Sequence, residues 1–178
     1  MSKTQPNLRE RTYRWDDQTP TLKRLATTPG IEVLASMAAG ELPPPPIMMT
    51  LGFGDAAFEV GRVQFSLQPK EFHFNPLGSV HGGVIATLLD SAAGCAVHSV
   101  LQAGEGYTSI DLTATYLRPV TEATGLITAV GTLLSRGART ALAQAQLTDR
   151  QGRLLAHATS TCLIFPIAGQ TKLDQAAG

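Results

Sequence analysis

The sequence predicts an α+β domain in which a curved antiparallel sheet of five or six strands wraps around one long central helix. Three observations carry that expectation. Residues 83 to about 101, GVIATLLDSAAGCAVHSVL, are the longest segment rich in apolar and small residues, apolar almost all round, and this marks a helix buried on every side. After Gly104 and Gly106 the pattern changes to alternation, in stretches of roughly 10 to 13 residues that read as strands. Short turns separate these stretches, so neighbours run antiparallel, and one apolar helix with such a meander is packed most economically by curling the sheet around it.

The elements follow in order. Residues 1 to 28 show no sustained apolar period and are expected to form a mobile or loosely docked arm. Thr28 is a candidate N-cap with Pro29 at the first helical position, and Ile31, Leu34, Ala35 and Ala38 then recur at helical spacing until Gly40. Pro43 to Pro46 form a stiff polyproline II spacer, so residues 29–50 are an N-terminal helix plus connector. Phe58, Val60, Val63, Phe65 and Leu67 surround a turn at Gly61 and make residues 51 to 69 a hairpin. The loop EFHFNPLGSVHGG leads into the central helix. TSIDLTATYL then ends at Arg118-Pro119, GLITAVGTLLS ends at Arg136-Gly137, and ARTALAQAQLTD turns at Arg150 to Gly152 into RLLAHATSTCLIF. The folded domain thus spans 51–166, followed by a C-terminal tail over 167–178.

With 14 Lys+Arg against 14 Asp+Glu, no net charge points to nucleic acid or an anionic membrane as partner. No apolar run approaches the roughly 20 residues that span a bilayer. The first residues, MSKTQPNLRERTYRWDD, lack the apolar core of a signal peptide. Cys95 and Cys162 sit in apolar stretches and read as reduced thiols. Together these features predict a soluble cytoplasmic protein.

Asp90 most needs explaining. It lies in the middle of the apolar helix, and a carboxylate there is costly unless it is paired or used. No Lys or Arg stands at 86, 87, 93 or 94 to pair with it along the helix. The second feature is Gly82-Gly83, directly after His81, where the helix begins. Backbone N–H groups at a helix N-terminus are unpaired and the dipole is positive there, so a carbonyl laid against them would gain donors for a developing oxyanion. Asn75 in the preceding loop adds an amide able to orient a water or the carbonyl, although Asn-Pro also forms ordinary turns. His73, His98 and His157 read as structural, no metal site is expected, Cys95 reads as a packing thiol, and no G-x-S-x-G elbow occurs.

Taken together, NPLGSVHGGVIATLLD resembles the active-site segment of the hotdog-fold acyl-CoA thioesterases, in particular the phenylacetate-pathway branch. In that branch an Asn, a His-Gly-Gly six residues on, and an acidic residue nine past the His form the site, and Asn75, His81-Gly82-Gly83 and Asp90 fall in register with them. The resemblance extends through YTSIDLTATYLRP and covers roughly residues 50 to 165. It implies a hotdog fold and hydrolysis of an acyl-CoA thioester, with Asp90 as general base or nucleophile and Asn75 placing water and substrate. Gly82 or Gly83 would polarise the carbonyl, His81 would shape the site, and Ser109 or Thr108 would orient the water. Register alone leaves that last pair open.

Coenzyme A also needs an anion site. SRGART places Arg136 and Arg139 around Gly137 in a strand-to-strand turn, where guanidiniums and free N–H groups can meet phosphate, and the loop resembles the basic turn that holds the nucleotide in relatives. Tyr116 and Arg118 are further candidates at a strand end. No separate cofactor is expected, since coenzyme A is part of the substrate. Two rival readings remain: a hydratase or dehydratase of the same fold, and a non-catalytic acyl-CoA-binding protein. His73-Phe74-Asn75-Pro76 looks like the hydratase HFP loop, but the Pro-Gly turn and glutamate that should follow are missing; Asp90 argues against a pure binder.

Helix geometry adds a partner. Asp90 is seven residues beyond Gly83, about 10 Å along the axis at 1.5 Å per residue, which a carboxylate cannot reach across. A carbonyl held at one helix start must be met by Asp90 of an antiparallel neighbour. The expected partner is therefore a second copy of the chain, in a two-fold dimer or in a dimer of such dimers.

Overall fold

A computed structural model describes residues 7–167. Helices α1 (Thr19–Leu25), α2 (Gly30–Ala38) and α3 (Pro46–Leu51) precede the hairpin β1 (Phe53–Glu59) and β2 (Arg62–Leu67). The long helix α4 (Gly82–His98) follows, and then β3 (Glu105–Ser109), β4 (Thr113–Tyr116), β5 (Ile127–Arg136), β6 (Thr140–Asp149) and β7 (Leu154–Pro166). The strands form one antiparallel sheet of seven in the order β1-β2-β5-β6-β7-β3, with β4 also paired to β7. Alternate residues of the inner strands, such as Val63, Phe65 and Leu67 on β2 and Ala141, Ala143 and Ala145 on β6, are buried. They face α4, which packs against five strands. Leu88 and Leu89 of α4 are fully buried, each contributing roughly 1.5–3 kcal/mol. Register shifts in β1, β5 and at the β6/β7 pairing increase the local bend and help the sheet curl. Small residues let it come close: a Cβ at Gly131 of β5 would lie 2.0 Å from the Ala92 carbonyl oxygen of α4.

Several expectations change. The sheet has seven strands rather than five or six, because TSIDLTATYL breaks after Ser109: Asp111 turns its carboxylate to the Thr161 N–H at 2.8 Å, and two short strands result. The N-terminal helix is capped by Pro29 rather than Thr28. The proline run stops short of a full spacer, since Pro46, with φ preset, opens α3. Within the arm, residues 19–25 form a helix that packs on α2, and the Arg11 guanidinium stacks over Phe72 at 3.8 Å. The tail from 168 onward and residues 1–6 lie outside the described residues. Finally, α4 is not buried all round: Gly83, Ala86, Thr87, Asp90 and Ser91 form a strip that stays wholly or partly open. Thr87, Asp90 and Ser91 make that strip the more polar side of the helix, a signal that the high overall apolar content of the segment hid.

His98 at the end of α4 is 8 % exposed and meets no hydrogen-bond partner among the described residues. Burial alone lowers its pKa from 6.5 to about 4. The unfolded chain therefore takes up a proton that the folded one refuses, and stability falls as pH drops from about 6.5 toward 4, by on the order of 3 kcal/mol in full. In urea titrations between pH 7.5 and 4.5, His98→Gln should flatten this decline relative to the wild type. An unchanged slope would show that His98 does not carry it.

Candidate active site

The loop before α4 is built to hold the helix start still. His73 is buried, accepting from the Lys70 N–H at Nδ1 (3.0 Å) and donating from Nε2 to the Leu51 carbonyl (2.7 Å). Burial lowers its pKa, as suits a neutral structural ring. Asn75 closes the turn beyond it. Its Oδ1 accepts from the N–H groups of Leu77 and Ser79 at 2.9 and 3.3 Å, and its amide donates to the Ser79 hydroxyl at 3.0 Å. Within one chain Asn75 therefore acts as a turn former. Val80 N–H donates to the Val120 carbonyl at 2.7 Å, tying the loop to the connection between β4 and β5.

At the N-terminus of α4 the exposed His81 accepts from the Gly83 N–H through Nδ1 at 2.9 Å, a side-chain cap. That contact occupies Gly83. The Gly82 N–H, in contrast, meets no acceptor among the described residues. A side chain at either glycine would crowd this end of the helix: a Cβ would lie 3.0 Å from His81 Nδ1 at position 83 and 3.3 Å from the Tyr116 ring at position 82. The Tyr116 hydroxyl donates to the Gly82 carbonyl at 3.1 Å, so β4 braces the same end of the helix. A surface cleft lies here, lined by Gly82, Ile85, Tyr116 and Arg118.

Asp90 lies elsewhere. Half-buried on the open strip of α4, it accepts from the Ser109 hydroxyl at Oδ1 (2.9 Å), and its other oxygen has no partner among the described residues. Thr108 points away, exposed, with only a 3.5 Å contact to the Ser109 carbonyl. Of the two residues that register left open, only Ser109 touches Asp90. A second groove, lined by Ala86, Thr87, Asp90, Ser109, Ile110, Asp111 and Leu112, surrounds the pair. Asp111 was not singled out in the sequence, where strand alternation makes it look merely solvent-facing; hydrogen bonds from Thr161 hold its carboxyl below the usual range. Cys95 is no nucleophile: its apolar surroundings push the thiol up to about 12, against a hydrogen bond from Tyr107.

The remaining candidates fall into two groups. Arg136 is committed to Glu105 by two contacts of 2.7 and 2.8 Å, which assist a Gln102 N–H in lowering the Glu105 pKa. Gly137 and Arg139 form the exposed turn beside it, and the Arg139 carbonyl receives the Ile164 N–H. Arg118 donates to the Leu154 carbonyl at the opposite end of β7. Thr108, Leu163 and Thr140 stand in one row across the sheet, so the basic turn starts two strand spacings, roughly 10 Å, from the row beside Ser109. Tyr116 pairs with Ala156 and Ser109 with Cys162, about 20 Å apart along β7. A single chain thus brings Asp90 and Ser109 together, and separately His81, Gly82, Gly83, Tyr116 and Arg118, but it does not join the two sets.

A curved antiparallel sheet around one long helix, with a carboxylate on the helix and a glycine pair at its start, defines a hotdog domain. The thioesterase superfamily profile matches residues 77–156, which contain both sets. Acyl-coenzyme A thioesterase 13 of Mus musculus is 31% identical over 96 residues, spanning 53% of this chain and 67% of that one. The Homo sapiens protein of that name is 28% identical over 102 residues, 57% and 71% of the two chains. Among solved structures, a phenylacetic acid degradation-related protein from Ralstonia eutropha JMP134 is 29% identical and covers 72% of this chain and 97% of its own, with a TM-score of 0.66. A thioesterase from Haemophilus influenzae shares the fold at TM-score 0.66 and 22% identity, over 78% and 92%. The chain belongs to the thioesterase superfamily and is a hotdog-fold thioester hydrolase. Among its described residues no helix is long and apolar enough to cross a membrane.

Proposed function

We propose that the protein hydrolyses an acyl-CoA thioester to the free acid and coenzyme A, at a site assembled from two copies of the chain. The observation that carries this reading is the Asp90–Ser109 pair, whose second carboxylate oxygen has no partner among the described residues and lines an open groove, set apart from a helix start whose Gly82 N–H likewise meets no acceptor among them. In a two-fold dimer Asp90 of one copy meets Gly82 of the other. Asp90 then either takes the proton of an attacking water oriented by Ser109, or attacks the carbonyl itself to expel the thiolate and form a mixed anhydride, which a water hydrolyses to the free acid and the restored carboxylate. The Gly82 N–H and the helix dipole stabilise the oxyanion, and coenzyme A departs as the thiol after protonation. His81 fixes the helix start, and Asn75 fixes the loop that would border the thioester.

The outer edge of the sheet supports the dimer. β3 and β4 pair only with β7, and exposed Ile110, Tyr116 and Leu117 lie along that edge, which a second copy can cover. The curated relatives are named as acyl-coenzyme A thioesterases, which favours the coenzyme A ester over other thioesters. The two free thiols fit the reducing cytoplasm.

Thiol release from an acyl-CoA panel tests the activity directly. The basic turn is tested on the same assay. Arg136→Ala with Arg139→Ala should raise KM for acyl-CoA about tenfold or more, and leave KM for the matching thioester of N-acetylcysteamine nearly unchanged, because that substrate lacks the phosphates. Arg139 has no side-chain partner among the described residues and should account for most of the effect, since Arg136 is already held by Glu105. Equal effects on both substrates would remove the turn from the site.

A further inference from the structure

A cavity of about 580 Å³ is lined partly by residues outside the stretch that the superfamily profile matches, from the N-terminal helices and the end of β7, and partly by Cys95, His98, Gly106 and Tyr107 within it. Its walls are α1 and α2 on one side and the last turns of α4 with the starts of β3 and the end of β7 on the other. The lining is mostly apolar, with Leu22, Leu34 and Met37 from the N-terminal helices. Its volume falls within the few hundred to about 1,000 Å³ typical of small-molecule sites. Of the polar side chains in the lining, the Gln18 amide donates to the Asp16 and Pro44 carbonyls, whereas two others lack a partner among the described residues. The Thr21 hydroxyl is buried without any hydrogen-bond partner, and the His98 ring, 8 % exposed, also has none among the described residues. A buried hydroxyl without a partner is unfavourable, and a ligand oxygen brought within reach would supply one.

The cavity lies further along α4 than the groove that holds Asp90 and Ser109. Cys95, on its wall, is five residues beyond Asp90, about 7.5 Å along the helix axis. Tyr107 lines it from β3, two residues before Ser109 and so on the same face of the strand. Gly94 leaves the space in which Tyr107 sits, since a Cβ there would lie 2.8 Å from the phenol oxygen. Tyr107 thus stands between the Asp90–Ser109 pair and the cavity. At the far side, α2 is fixed to the end of α4, because a Cβ at Gly30 would lie 1.8 Å from the His98 carbonyl oxygen.

We propose that this cavity, walled by the N-terminal helices, is the acyl pocket, and that it takes a medium-length acyl chain bearing a neutral oxygen group at its far end, held by Thr21 and His98. The inference rests on the acyl-CoA reading above and adds a specificity site to it. Burial keeps His98 uncharged at neutral pH, so a hydroxyl or keto group suits it better than a second carboxylate. An acetyl group would end short of the cavity and gain nothing from it.

Two ratios of kcat/KM read the proposal. For the wild type, octanoyl-CoA should exceed acetyl-CoA by tenfold or more, and 8-hydroxyoctanoyl-CoA should exceed octanoyl-CoA. Leu22→Trp, which fills the cavity, should lower the first ratio about tenfold. Thr21→Val should lower the second by about fivefold to tenfold without lowering Tm, because it removes an unpaired hydroxyl at constant shape. Ratios unchanged in both variants would overturn the proposal. A separate measurement covers a protein that hydrolyses none of these esters, an outcome that would sink the hydrolase reading itself. The free acids octanoate and 8-hydroxyoctanoate are titrated while the Met37 methyl resonance is followed. It should shift on binding in the wild type and not in Leu22→Trp; no shift in the wild type would show a sealed void and overturn the acyl pocket independently of catalysis.

Discussion

Asp90→Asn is expected to lower kcat by a factor on the order of 10² or more, as removal of a general base or nucleophile does, with little change in KM. The fold should survive, because the amide oxygen of Asn can still accept from the Ser109 hydroxyl, the one hydrogen bond that Asp90 makes among the described residues. Tm measured beside kcat separates the two effects. A folded variant with near-normal turnover would exclude Asp90 from the chemistry. Ser109→Ala offers a graded comparison: it leaves the carboxylate without its orienting donor, and its loss should be smaller than that of Asp90→Asn.

Mixed dimers should recover activity from two dead chains. One chain carries Asp90→Asn, and the other carries Asn75→Ala with His81→Ala. If each site takes Asp90 from one copy and the helix start from the other, a mixed dimer collects both lesions in one site and leaves the second intact. Random assortment makes half the dimers mixed with one live site each, so roughly a quarter of wild-type activity should return. The physical basis is the separation within one chain, since Asp90 and Gly82 lie on one rigid helix with about 12 Å of rise between them. Mixed dimers that form and stay dead would rule out the shared site.

The sequence made the fold legible through its strongest signals, one long apolar helix and alternating strands of regular length. It also placed the hairpin turn at Gly61, where φ is +75°. It failed where local pattern was weak. The seven residues of α1 carry no sustained apolar period, and their helix is held by packing on α2, with Thr21 as its buried residue. The break at Ile110–Leu112 cannot be read from alternation, since it is made by a side-chain hydrogen bond to a distant strand.

The candidate site divides in the same way. Spacing by itself determined that His81, Gly82 and Gly83 stand at a helix start and that Asp90 lies too far along to share their site within one chain, because helical rise is fixed by backbone geometry. Only the tertiary structure decided which partners those groups have. It gave Ser109 rather than Thr108 to Asp90, because strand residues alternate faces and only one of the two can point at α4. It gave Arg136 to Glu105, and the Gly83 N–H to His81, leaving the Gly82 N–H with no acceptor among the described residues. It also set Thr21 and His98 on one cavity, although they are distant in sequence. Periodicity fixes which way a residue faces along its own element, while its partners depend on which elements the folded chain brings together.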